Sequence, residues 1–147
     1  MHKAICASIV AAGLLVAQQG RAQDPSLVGT WSGTDFIGKT WGGTTMSMDS
    51  FKSVELEIRE HDGPTISGVI RWELTTDEHG LHDGEQVTTR AEEVVLGVRD
   101  FDGTYVIVEH PDMSIRRCRL IDENTLEVVG YEGGPNAYVA RAVYKRQ

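Results

Sequence analysis

The run Lys52-Ser53-Val54-Glu55-Leu56-Glu57-Ile58-Arg59-Glu60 leads through His61-Asp62-Gly63-Pro64 into Thr65-Ile66-Ser67-Gly68-Val69-Ile70-Arg71-Trp72-Glu73-Leu74. Val54, Leu56 and Ile58 alternate with Glu55, Glu57 and Arg59, the period-two pattern of a strand with one buried and one wet face. Ile66, Gly68, Ile70, Trp72 and Leu74 continue the inner set against Ser67, Arg71 and Glu73. The Asp-Gly-Pro between the runs supplies turn chemistry. An antiparallel hairpin follows, and the same grammar recurs along the chain.

Further turn signals stand at Asp100-Phe101-Asp102-Gly103, His110-Pro111-Asp112, Asp122-Glu123-Asn124 and Gly133-Gly134-Pro135-Asn136. Their spacing of about ten residues is that of a meandering all-β domain. With the opening hairpin they delimit seven strands: Lys52 to Glu60, Thr65 to Leu74, Glu93 to Arg99, Thr104 to Glu109, Met113 to Ile121, Thr125 to Tyr131 and Ala137 to Lys145. Val28 to Phe36, rich in Thr and Trp and broken by Gly29 and Gly33, makes an eighth. Eight meandering antiparallel strands can join first to last, which removes both sheet edges and leaves an interior for side chains or one small ligand. The predicted fold is therefore all-β, an eight-stranded antiparallel meander closed into a barrel. Val94, Leu96 and Val98 are expected to extend the inner set. Ile37 to Ser50 and Thr75 to Ala91 read as two long loops at the barrel mouth.

The chain has 147 residues, enough for one ordinary domain. Residues 1–22 have the three parts of a secretory signal: Lys3, an apolar run from Ala4 to Ala17, and Gly20-Arg21-Ala22 with small residues where a signal peptidase reads. Cleavage after Ala22 leaves 23–147 as a single barrel domain, periplasmic or secreted. The apolar run is too short to cross a bilayer as a helix, and no later stretch is longer, so no membrane span is expected. Loss of Lys3 and Arg21 leaves 12 basic against 22 acidic residues, a strongly acidic protein and a poor partner for nucleic acid. Cys6 goes with the signal. Cys118 then remains alone, which rules out an intrachain disulfide; it reads as a small buried hydrophobe, with an intermolecular disulfide or a reactive thiol as the alternatives.

Leu27-Val28-Gly29-Thr30-Trp31 resembles the Gly-x-Trp opening of calycin barrels, the lipocalin and avidin group. The chain is also similar to small exported bacterial barrels that open with a Val-Gly-Thr-Trp-Ser-Gly run. The resemblance implies that Gly29 and Trp31 are structural, with Trp31 plugging one end beneath a basic side chain from the last strand. Arg141, Lys145 and Arg146 are the candidates by sequence order, and Arg141 is the one assigned that structural role. Neither the lipocalin disulfide nor the biotin-holding residues of avidins can be matched.

Candidate binding residues come from two clusters. Arg116, Arg117 and Arg119 crowd one strand, and grouped guanidiniums are a means of recognising carboxylates or phosphates. A two-residue turn at Glu123-Asn124 puts Arg119 opposite Val128 and aims Arg117 and Arg119 inward; a shift of one residue puts Arg119 opposite Glu127 on the surface. Tyr138, Ala140, Ala142 and Tyr144 alternate on the last strand, where alanines leave space and hydroxyls offer polar handles. Trp72 joins this lining if its parity holds.

His79-Gly80-Leu81-His82-Asp83 matches no metal-site spacing and reads as a solvated acidic loop. No nucleophile elbow, phosphate loop or dinucleotide fingerprint occurs, so no catalytic residue, metal or cofactor is nominated. The expectation is a barrel binding a small, partly apolar ligand with anionic character, held by Trp72, Arg117, Arg119, Tyr138 and Tyr144. The alternative partner is an exported protein, such as a basic hydrolase inhibited through the two loops by charge-steered association. An enzyme using the barrel as a reaction chamber ranks third.

Overall fold

The computed structural model describes residues 25–43, 45–47, 51–77, 86–111, 113–134 and 137–147. The proposed signal segment, its cleavage point and His79 to Asp83 lie outside these residues. Among the described residues nine strands follow one another: β1 (Gly29–Thr40), β2 (Thr45–Ser47), β3 (Phe51–Asp62), β4 (Thr65–Asp77), β5 (Gln86–Arg99), β6 (Tyr105–His110), β7 (Ile115–Asp122), β8 (Thr125–Glu132) and β9 (Tyr138–Arg146). From β3 to β9 each pairs antiparallel with the next, β3 also pairs with β1, and β9 returns to β1. The protein is an all-β, closed eight-stranded antiparallel barrel, with β2 as a short extra strand on β1. This closed meander is the architecture that the opening Gly-x-Trp motif implied.

Of the described residues in the two expected mouth loops, most are strand. β1 runs on to Thr40 and meets β2, while Thr75-Thr76-Asp77 pairs with Thr88-Val87-Gln86. β-branched threonines suit a pleated surface whether or not one face is buried, so polar composition did not mean irregular backbone here.

Register decides which side chains enter the barrel. Leu56 faces Ile70 and Val54 faces Trp72, as the alternation predicted. Ile66 lies opposite Gly97, Gly68 opposite Val95, and Ile70 opposite Glu93. The inner set on β5 is therefore Glu93, Val95 and Gly97, which corrects the expectation for Val94, Leu96 and Val98; Leu96 is 58% exposed. Packing explains the choice. A Cβ at Gly97 would meet Ile66 and Ile107 side chains at 2.8–3.0 Å, so larger neighbours already fill that interior position.

One end is closed by a side-chain plug. Trp31 is fully buried, its indole N–H donates to the Leu27 carbonyl at 2.9 Å, and the Arg146 guanidinium sits 4.2 Å from its ring centroid. Arg146 also donates to the carbonyls of Ser26, Val28 and Glu123. Gly29, at φ 139°, brings its backbone to within 3.1 Å of Arg146 Nη1, measured from where a Cβ would stand. Arg141 does not take this role. It pairs with Ile37 on the opposite parity and points outward, whereas Arg146 shares parity with the inward Ala140, Ala142 and Tyr144.

At the other end β1 and β3 separate. Their ladder covers only Gly29–Ser32 against Glu55–Ile58, after which β1 takes β2 as its neighbour on that side. Phe36 and Phe51 meet edge to face where the strands part, centroids 4.7 Å apart.

Candidate functional site

Interior space remains at this open end. A cavity of about 150 Å³ is lined by Phe36, Met46, Phe51, Val54, Trp72, Glu109, Arg116, Tyr138 and Tyr144. It is small because charged and aromatic side chains of β6, β7 and β9 occupy the middle of the barrel. A cleft of about 300 Å³ lies between Leu27, Arg99, Tyr105 and the Leu120 to Glu123 turn at the plugged end. It contains none of the aromatic residues that converge at the open end, and we take the smaller interior cavity as the candidate site.

The parity of β7 determines its chemistry. Arg116 pairs with Ile107 and Gly130, and Cys118 with Tyr105 and Val128, so both face inward. Arg117 and Arg119 face out: Arg117 reaches Asp102 at 3.0 Å, and Arg119 reaches Glu127 at 2.7 Å. The inward placement expected for these two is thus corrected. Glu123-Asn124 does form the turn between Asp122 and Thr125, but a bulge between Leu120 and Asp122 shifts the pairing by one residue and puts Arg119 opposite Glu127. One residue of slip exchanges the two faces of a strand.

Arg116 meets Glu109 in a two-bond pair, Nε to Oε1 and Nη2 to Oε2, on neighbouring strands and almost out of contact with solvent. Burial works against the arginine's charge, but the hydrogen-bonded Glu109 carboxylate works the other way and the guanidinium is held above its ordinary range. Beside this pair Trp72 donates its indole N–H to Glu93 Oε1 at 3.2 Å, and Glu93 is itself buried. Tyr138 donates to Ser114 Oγ at 3.2 Å. Tyr144 is 1% exposed, and its hydroxyl has no hydrogen-bond partner among the described residues. Burial pushes its pKa up to about 12, and pushes that of Cys118 to about 12 as well, so both keep their protons at neutral pH.

Of the residues nominated from sequence, the structure brings Trp72, Tyr138 and Tyr144 together and leaves Arg117 and Arg119 outside. Glu93, Glu109, Arg116, Phe36, Met46 and Phe51 were missed. Parity held a signal for three of them: Glu109 alternates with Tyr105 and Ile107, Arg116 with Cys118, and Glu93 with Val95. The arrangement offers apolar walls, one neutralised ion pair and a buried hydroxyl. Its chemistry is that of holding a small group.

No protein-family model matches the chain, and no curated protein matches it. Among solved structures it is similar to an S-type phycobiliprotein lyase from Guillardia theta, with 11% identity over 82% of this chain and 88% of that one and a TM-score of 0.49. It is also similar to a de novo designed fluorescence-activating β-barrel, with 16% identity over 82% and 93% of the two chains and a TM-score of 0.35.

Proposed function

We propose that this protein is an exported barrel that binds a small, partly apolar molecule in the cavity at its open end. The observation that carries the reading is the convergence of Phe36, Phe51, Trp72, Tyr138 and Tyr144 around interior space floored by the Arg116–Glu109 pair. Small-molecule sites have this composition, mostly apolar walls with a few fixed polar groups. A cavity near 150 Å³ suits one ring-sized group, so a larger ligand would leave part of itself outside the mouth. Export to the periplasm or beyond rests on Lys3, the Ala4 to Ala17 run and Gly20-Arg21-Ala22.

The anionic ligand expected from sequence loses its support, since Arg117 and Arg119 are engaged by surface acids. An exported protein partner, engaged through residues 37–50 and 75–91, has less in its favour: much of both stretches is paired strand.

Native mass spectrometry of the protein recovered from its own cell envelope tests the reading. The expected result is a chain beginning at Gln23 with a small adduct that Val54→Phe, which fills the cavity, abolishes without unfolding the barrel. An unliganded chain, or an adduct indifferent to Val54→Phe, would overturn the binding assignment.

A further inference from the structure

The open-end cavity holds more hydrogen-bond donors than the protein uses. A guanidinium has five N–H groups. Arg116 commits Nε and Nη2 to Glu109, and among the described residues Nη1 makes no hydrogen bond. Tyr144 lines the same cavity, and its buried hydroxyl is unmatched. Tyr138, by contrast, already donates to Ser114. A buried hydroxyl left unmatched is costly, so an occupant that stabilises this arrangement brings an acceptor lone pair to Tyr144, with Arg116 on the wall of the same cavity as a second donor.

Charge selects among acceptors. Glu109 already neutralises Arg116, and Glu93 is buried on the same inner surface of the barrel. A carboxylate ligand would add a second acid beside the one guanidinium that Glu109 already neutralises, where water screens poorly, and an ammonium has no lone pair to offer. An uncharged carbonyl satisfies both donors at no cost in charge. The apolar side of the cavity, formed by Phe36, Met46, Phe51 and Trp72, has room for about one aromatic ring.

We infer that the cavity recognises an uncharged carbonyl oxygen borne on a single apolar ring, with Arg116 Nη1 and Tyr144 Oη as the donors to that oxygen. The inference rests on the reading of the cavity as a ligand site and names the chemical class it takes.

Benzamide, benzoate, benzylamine and toluene have similar rings and differ in the group that would meet these donors. Each is titrated into the protein while the indole N–H resonance of Trp72 is followed by NMR. Benzamide is expected to bind at least about tenfold more tightly than benzoate or benzylamine. Tyr144→Phe should weaken benzamide about three- to tenfold, the loss of one neutral hydrogen bond, and leave toluene unchanged. If that variant does not fold, Arg116→Lys, which retains the charge opposite Glu109 but not the planar fork, is expected to show the same selective loss. Preference for benzoate, or equal binding of all four, overturns the inference while leaving the cavity as a binding site. Benzamide affinity that neither variant alters does the same. Failure of all four to bind overturns both.

Discussion

Arg146 lies over the face of Trp31 at the plugged end of the barrel, its guanidinium carbon 4.2 Å from the ring centroid, and three of its nitrogens bond to carbonyls of Ser26, Val28 and Glu123. One side chain thus ties the last strand to the residues before the first strand and to the turn between β7 and β8. Arg146→Ala removes the ring contact and leaves those carbonyls to water, and is expected to cost about 2 kcal/mol in urea unfolding. Arg141→Ala, on the outer face, should change stability by less than about 0.5 kcal/mol. Equal effects from the two would remove Arg146 from its place as the clasp.

The Arg116–Glu109 pair makes a different prediction because both partners are buried. Glu109→Leu alone leaves an uncompensated guanidinium, and Arg116→Met alone an uncompensated carboxylate; each should cost about 3–5 kcal/mol. The double variant replaces both charges with apolar groups of similar bulk and should recover most of that loss. Chemical denaturation of the three variants gives the coupling directly. Additive single losses would show that the two charges do not act as a pair.

Alkaline titration isolates Tyr144. Its phenol has a pKa near 10 in an unfolded chain, and burial raises it to about 12 in the fold. Between those values the native state holds a proton that the unfolded state has released, so stability falls as pH rises through this window, by roughly 3 kcal/mol in full. Below the lower value the contribution is complete. Tyr144→Phe removes the titrating group and should flatten this part of the pH–stability curve relative to the parent. Cys118, raised by the same cause to about 12, adds its own alkaline loss in both proteins and cancels in the comparison.

Where the sequence was legible, each strand had one apolar and one polar parity. Val54, Leu56 and Ile58 against three charged neighbours left a single choice, and Ile66 and Ile70 followed. β5 offered two. Val94, Leu96 and Val98 outscore Glu93, Val95 and Gly97 in hydrophobicity, yet the second set is inside because Ile66 and Ile107 occupy the space at Gly97 and Trp72 hydrogen-bonds Glu93. Neither condition is visible within the strand itself. The arginines failed for another reason: the bulge after Leu120 depends on how β7 and β8 close their turn, and one residue there reassigns Arg116, Arg117 and Arg119 together. Parity did separate Arg146 from Arg141, since only the former alternates with Tyr144.

Glycines at three depths of packing test how tightly the barrel closes at its bend. β3 and β4 change register between Ile58 and Glu60, and there Gly68 passes so close to β3 that a Cβ would collide with the Glu57 carbonyl and backbone of Ile58. Backbone cannot move aside without breaking the ladder, so Gly68→Ala is expected to cost about 3 kcal/mol or more, or to prevent folding. At Gly97 the added methyl meets the ends of Ile66 and Ile107 side chains, which can yield in part; Gly97→Ala should cost about 1–3 kcal/mol as ordinary overpacking. A Cβ at Gly133 meets nothing within 4 Å, and Gly133→Ala should be nearly neutral. The three melting temperatures, measured under one condition, should fall in that order. A Gly68→Ala protein as stable as the Gly133→Ala protein would mean that β3 and β4 do not approach closely at this bend.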